Sequence, residues 1–394
     1  MVAVTIDTPP LIAGVSPDFA SVVAAAGQRS DEIEALRRLP RDLVEQLIGT
    51  GVFRLWVAKC YGGAEGSVQD LLDAIELASY HDGSTGWCVM IGGTTALNSG
   101  HLEAEAAQLI YGDPLAVTGG FGRPAGLAVA EGNGLRVNGT WSWGSGTSHC
   151  TWIGGGVRIV DGDGEPARLA DGTAAPFVYF ERHAVELADN WHVAGLKGTG
   201  SVDYSVSNAF VPQGRWTSLA GGKAPVVDSP LYRFSLLGAL AVGVASVTLG
   251  LATRAVDELI ALGEKKPDAS SRSLAERAPV QAELAQADAD VRAARAFMRE
   301  TVARCWAAAD TTGQMTDEDK RLLRAAANHA VNRSAATVDH CYTLAGGSAV
   351  FSSSPLQRVF RDVHTATQHA MTAPRMWEPL GRLLFGLPTS TAQF

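Results

Sequence analysis

The sequence predicts an α+β protein in three parts. These are an N-terminal helical domain over residues 1–114, a central antiparallel β-barrel or sandwich over 115–218, and a C-terminal four-helix bundle over 219–394. Three observations predict this order. Apolar residues recur at helical spacing toward both ends, the middle is rich in Gly, Val, Thr and Trp with closely spaced turn signals, and the C-terminal helical stretches are long. With 394 residues, 46% of them hydrophobic, the chain can bury a large core without cross-links.

In the first part, LPRDLVEQLIGTGVF places Leu39, Leu43, Leu47 and Ile48 on one helix face and stops at Gly51. SVQDLLDAIELASYH opens with Ser67 as a candidate N-cap and runs to about His81, and HLEAEAAQLIYG forms another short helix. From Leu115 to about Pro212, short alternating runs such as LRVNGTWSW, WIGGGVRIV and VDYSVSNAFV are separated by Gly, Asp and Asn turns. Fast turns without intervening helices argue for antiparallel strands. Beyond Leu231 four long helices follow, over Leu231–Glu264, Ala278–Ala309, Asp317–Leu344 and Pro355–Met371, with Gly346-Gly347 breaking the third from the fourth.

Charge and cysteine usage exclude several classes. Acidic residues outnumber basic ones, 41 to 32, for a net charge of −9, so neither a nucleic-acid nor an anionic-membrane surface is expected. The five cysteines (Cys60, Cys88, Cys150, Cys305, Cys341) are far apart and form no CxxC pair, so neither a disulfide framework nor a metal site is expected. The opening MVAVTIDTPP has no basic stretch ahead of an apolar one, which predicts a cytoplasmic protein without an export signal. Ser235–Ala252 is uncharged over about the length of a bilayer span. Its small residues and its run into the amphipathic AVDELIALGEK favour a buried helix at the heart of an oligomer.

Four stretches stand out, three for their chemistry and one, over residues 191–201, more as evidence of the fold. Asn138-Gly139-Thr140-Trp141-Ser142-Trp143-Gly144-Ser145-Gly146 lies within the β zone, followed by His149. Trp191-His192-Val193-Ala194-Gly195-Leu196-Lys197-Gly198-Thr199-Gly200-Ser201 precedes the last strand. Leu344-Ala345-Gly346-Gly347 and Pro355-Leu356-Gln357-Arg358 lead to Arg361-Asp362-Val363-His364-Thr365-Ala366-Thr367-Gln368-His369-Ala370. Gly83-Ser84-Thr85-Gly86-Trp87 opens a helix in the first part. Read singly, each has a plain structural explanation: a strand with a Gly-rich turn, a tight loop, a helix cap with a surface Arg–Asp pair, a capped helix with a buried aromatic. No GxGxxG follows a predicted strand, so no nicotinamide site is expected.

Together and in this order, the stretches resemble the acyl-CoA dehydrogenase fold superfamily over nearly the whole chain. The closest likeness is to the reduced-flavin-dependent, two-component (group D) aromatic monooxygenases. The resemblance implies that Trp143 lines a flavin and that Ser145 sits near flavin N5, where an aromatic wall and a short hydroxyl suit an isoalloxazine. It implies that Gly346 and Gly347 lie near flavin bound to a neighbouring subunit of a homotetramer, and that Trp87 borders the substrate cavity.

The dehydrogenases' catalytic Glu, nine residues after the Arg of the Arg-Asp pair, is replaced here by Ala370. No carboxylate stands near Arg233, where some relatives place it instead. His369 fits the oxygenase pattern RDxHxxxxHA, and an imidazole can accept a phenol or enol proton. His364, read as lying on a different side of the same helix, is taken as structural.

The implied activity is therefore that of an oxygenase component. It would take reduced flavin (FMN in preference to FAD) from a separate reductase, form a flavin C4a-hydroperoxide with O2, and hydroxylate an aromatic or heteroaromatic substrate. His369 and Ser145 would be catalytic, and Trp87 and His369 would contact substrate. An FAD-dependent acyl-CoA dehydrogenase with a displaced base is the alternative. The phosphate-and-dimer signature of the superfamily is not recognisable, and Arg272 or Arg277 could meet a flavin phosphate, although surface solvation also explains them.

Overall fold

The computed structural model describes residues 12–219, 224–264, 273–391 and 394. The opening decapeptide and Arg272 lie outside them. Six helices form the first part: α1 (Phe19–Gln28), α2 (Ser30–Leu36), α3 (Arg41–Gly49), α4 (Val68–His81), α5 (Gly83–Thr95) and α6 (Ala104–Tyr111). Ser67 caps α4 as its position predicts, in a reciprocal capping box with Asp70. Gly51 ends the α3 segment with φ +80°, a conformation open to glycine at little cost.

The middle part is β1 (Thr118–Glu131), β2 (Gly134–Gly144), β3 (Trp152–Val160), β4 (Phe177–Glu181), β5 (Glu186–Leu187), β6 (Val202–Pro212) and β7 (Trp216–Thr217). They make one open sheet of order β5-β6-β2-β1-β3-β4-β7, not the expected closed barrel or two-layer sandwich. Nor is it wholly antiparallel, because β1 and β3 pair in parallel. The cause is the connection after β2. Strand β2 ends beside the start of β1, and residues 145–151 then cross to β1's other edge, so that Thr118 aligns with Trp152. Strands β2, β3, β4 and β6 still each reverse on their predecessor in sequence, which is what the turn signals report, whereas β5 runs the same way as β4 and β7 the same way as β6. Which edge of β1 receives β3 is a tertiary matter. That crossing segment carries Ser145, Gly146 and His149.

The last part contains α7 (Pro230–Arg233), α8 (Leu236–Glu264), α9 (Ala278–Thr311), α10 (Asp317–Ala345), α11 (Pro355–Ala366) and α12 (Trp377–Leu384). The four long helices fall where the sequence puts them, with two corrections. A break at Phe234–Ser235 separates α7 from α8, and α11 stops at Ala366, so His369 sits beyond the helix rather than on it. Helix α8 is long and apolar enough to cross a membrane, yet 83% of its most apolar window is buried inside this single chain. Its small residues make that possible. A Cβ on Gly250 would stand 2.4 Å from the Glu76 carbonyl of α4, and one on Gly238 2.7 Å from the Leu323 side chain of α10. The burial expected of an oligomer's centre is thus already met within one subunit.

Candidate active site

Trp87, Ser145 and His369, which come from three distant parts of the sequence, converge. Asp82 caps α5 by accepting from Thr85 N and Oγ1 at 2.7 and 2.8 Å, which fixes the first turn that holds Trp87. Gly86 allows α5 to close on α4, since a Cβ there would fall 1.9 Å from Ser79 Oγ. The buried Trp87 indole then donates Nε1–H to Ser145 Oγ at 3.0 Å. Its ring meets the His369 imidazole edge-on, with centroids 5.7 Å apart.

Ser145 also belongs to a buried hydroxyl chain. Its Oγ lies 2.6 Å from Ser201 Oγ, which lies 2.7 Å from Thr199 Oγ1, and Thr199 donates to Leu196 O at 2.8 Å. The direction of the chain follows by counting protons, because each hydroxyl has one to give. Thr199 gives its proton to the Leu196 carbonyl, so it accepts from Ser201. Ser201 therefore accepts from Ser145. The Ser145 oxygen keeps two lone pairs; Trp87 fills one, and one remains. Ser145 thus offers the site an acceptor and no donor.

Ser201 and Thr199 are functional candidates that sequence reasoning treated as fold evidence. Their only signal was the GTGS stretch itself. The same loop reaches α11, where Leu196 N donates to Asp362 Oδ1 at 2.6 Å. Gly195 permits it, since a Cβ there would be 2.1 Å from the Arg361 carbonyl oxygen. Burial pushes the Asp362 carboxyl up to about 7, against the lowering effect of the Leu196 N–H.

His369 follows α11 and caps the short 3-10 turn Ala370–Thr372, its Nδ1 accepting from Met371 N at 3.3 Å. In a neutral ring this leaves the proton on Nε2. Burial, helped by the Arg324 cation, lowers its pKa to about 4. Arg324, fully buried on α10, holds the segment by donating to Met371 O at 2.7 Å. Sequence reasoning missed it, although an arginine within the apolar stripe LLRAAA was a readable signal. His364 is half-exposed and bonds Asp339 at 2.8 Å, in keeping with a structural part. His149 packs against Phe53 with ring centroids 6.1 Å apart, and its buried Nδ1 has no hydrogen-bond partner.

Two expected flavin contacts lie apart from this cluster. Trp141 is the core member of the Trp-x-Trp pair, buried and stacked on Tyr204, whereas Trp143 is 54% exposed at φ +66° with Phe121 beside it. Gly346 and Gly347 end α10 in open space, next to Val350 and Phe351, each 67% exposed. No cluster of three or more potential metal ligands occurs among the described residues.

The chain is 30% identical over 362 residues to indole-3-acetate monooxygenase of Pseudomonas putida, covering 91% of this chain and 90% of that one. It belongs to the flavin-dependent monooxygenase oxygenase-subunit family. Residues 242–374 match the family described as acyl-CoA dehydrogenase, C-terminal domain. The HsaA oxygenase subunit of a flavin-dependent monooxygenase from Mycobacterium tuberculosis is 29% identical, over 94% of this chain and 97% of that one. The solved structure of XiaF from Streptomyces sp., in complex with FADH2 and glycerol, superposes with a TM-score of 0.85 at 27% identity, covering 94% and 96% of the two chains. The family places this chain among the oxygenases.

Proposed function

We propose that this oxygenase component binds reduced flavin against Ser145 and hydroxylates a small aromatic or heteroaromatic molecule held beside the Trp87–His369 ring pair. The polarity of the Thr199–Ser201–Ser145 chain carries the reading. Reduced flavin has N5–H, a donor, whereas oxidised flavin has a bare N5, an acceptor. The open lone pair on Ser145 matches the first and repels the second.

The residues present fit a flavin. Exposed Trp143 offers a stacking face, and the buried Trp87 and Ser145 exclude water. Reduced flavin, when bound, supplies the activation of O2. A separate reductase supplies it, because the chain has no recognisable nicotinamide motif of its own.

His369 acts on the substrate's proton. With a pKa about 4 it is neutral at pH 7, and its Nε2–H can donate to a substrate oxygen. To serve instead as the base at Nε2, the ring shifts its proton to Nδ1 and gives up the long bond from Met371 N. A phenol of ordinary pKa about 10 is far less acidic than the imidazolium, so the proton moves only as the ring carbon attacks. FMN is the favoured cofactor. The exposed Gly346–Gly347 corner with Val350 and Phe351 suits a homotetramer in which that corner faces a neighbour's flavin.

The test mixes the anaerobic protein and reduced FMN with isotope-labelled O2 and a panel of phenols, indoles and aromatic acids. One labelled hydroxyl in a product is expected. Peroxide alone with every substrate, together with bleaching of oxidised flavin by an acyl-CoA, would overturn the proposal.

A further inference from the structure

A cleft of about 360 Å³ opens on the outer face of the sheet, across β2, β1 and β3. Arg123 and Arg158 line it with the hydroxyls of Thr140 and Ser142, and Phe121 forms a wall. Its lining contains no carboxylate. Both guanidiniums are exposed, and neither has an ion pair or hydrogen bond among the described residues.

The backbone is built to present them. The β1–β3 register shifts between Phe121 and Pro124 and again between Pro124 and Gly126, a bulge that re-aims the side chains it carries. Gly156 of β3 lies hard against that bulge, where a Cβ would be 2.3 Å from the Gly122 carbonyl oxygen and 2.7 Å from the Arg123 carbonyl. Strand alternation on β2 sends Trp141 into the core and Thr140 and Ser142 outward. Two cations and two hydroxyl donors on one concave face match a phosphate's charge and acceptor oxygens.

The position fits as well. Phe121 is shared between the cleft and Trp143, with ring centroids 6.5 Å apart. Ser142 precedes Ser145 by three residues, a span of at most about 10 Å. That suits a ligand with its reactive ring edge at Ser145 and an anionic tail further along the strand. We propose that the Arg123–Arg158 cleft binds the phosphate nearest the ribityl chain of the reduced flavin. This deepens, and rests on, the reading of Ser145 as the N5 contact.

Anaerobic equilibrium dialysis of the full chain against FMNH2, FADH2 and reduced riboflavin tests it. The unaltered protein is expected to hold FMNH2 more tightly than reduced riboflavin. In the Arg123→Ala/Arg158→Ala variant, FMNH2 affinity should fall about ten- to hundred-fold while that of reduced riboflavin stays within about two-fold. The milder Arg123→Gln/Arg158→Gln variant, with unchanged circular dichroism, should behave alike. A parallel fall for FADH2 supports the phosphate common to both cofactors, and a fall for FMNH2 alone supports the monoester. Raising salt from about 0.05 to 0.5 M should weaken FMNH2 binding in the unaltered protein and much less in the variants. Unchanged FMNH2 affinity in both variants, or an equal loss for reduced riboflavin, would overturn the cleft assignment and leave the Ser145 reading standing. Failure of every reduced flavin to bind the unaltered protein would overturn both.

Discussion

Trp87 Nε1 and Ser145 Oγ, 58 positions apart in sequence, are joined by a buried hydrogen bond of 3.0 Å. It ties α5 to the segment that crosses over β1. By filling one of the two Ser145 lone pairs it also leaves a single acceptor direction into the site. Trp87→Phe keeps the ring against His369 and removes the donor. The lost bond itself lowers stability by about 1 kcal/mol, and with both lone pairs open Ser145 is no longer held to one acceptor direction, so reduced-flavin affinity should weaken by up to about five-fold. More of the oxygen consumed should leave as peroxide. The product-to-peroxide ratio during turnover is the check, with the melting temperature as a control for folding.

His369 sets a pH limit in the acid range. Its folded-state pKa of about 4 lies below the unfolded value, so the unfolded chain takes up the proton first. The stability contributed by the neutral ring is complete above about pH 6.5 and is lost as pH falls toward 4. Because the side chain is only half-buried, the loss should be about 1–2 kcal/mol. Urea denaturation at pH 7 and pH 5 should show a smaller drop for His369→Gln than for the unaltered protein. On hydroxylated substrates, His369→Ala should lower kcat by about a hundred-fold or more, measured at saturating reduced flavin.

What the sequence revealed divides along physical lines. Helices whose caps and periodicity are local, such as Ser67–Asp70 opening α4, were readable because those signals lie within a few residues. The parallel pairing of β1 with β3 was not, because turn chemistry reports that a strand reverses and not which edge it joins. At the site, Trp87, Ser145 and His369 were legible as residue types within motifs. The direction of the Ser145 hydrogen bond was not, since it depends on Thr199 and Leu196 more than 50 positions away. Arg123 and Arg158 look like ordinary strand-surface residues until the bulge and the register bring them to one cleft.

Asp362 should make stability fall with rising pH. Its folded-state pKa of about 7 lies above the unfolded value, so the folded protein holds the proton more tightly. That contribution is present in full below about pH 4 and is lost as pH rises through 7. Asp362→Asn keeps an acceptor for Leu196 N–H and cannot ionise. Relative to the unaltered protein, the variant should gain stability between pH 5 and pH 8, by about 1–3 kcal/mol. Denaturant midpoints at the two values give the comparison, and equal shifts in both proteins would contradict the assignment.

Ser201→Ala probes the direction of the hydroxyl chain. Without Ser201 Oγ as its acceptor, the Ser145 proton is released and can turn toward the flavin. Ser145 then becomes a donor as readily as an acceptor, and its bias against a bare N5 disappears. The preference for reduced over oxidised flavin should shrink by about 1–1.5 kcal/mol, or roughly ten-fold in the ratio of the two dissociation constants. Since tighter binding of the reduced form raises the potential, the bound flavin's midpoint should fall by about 20–30 mV. Thr199→Val acts one step further along. It removes the acceptor of the Ser201 proton, which lets Ser201 donate to Ser145 and leaves the Ser145 proton free in the same way. Both variants should therefore shift the potential in the same direction, whereas a purely steric role for either side chain would predict no common sign.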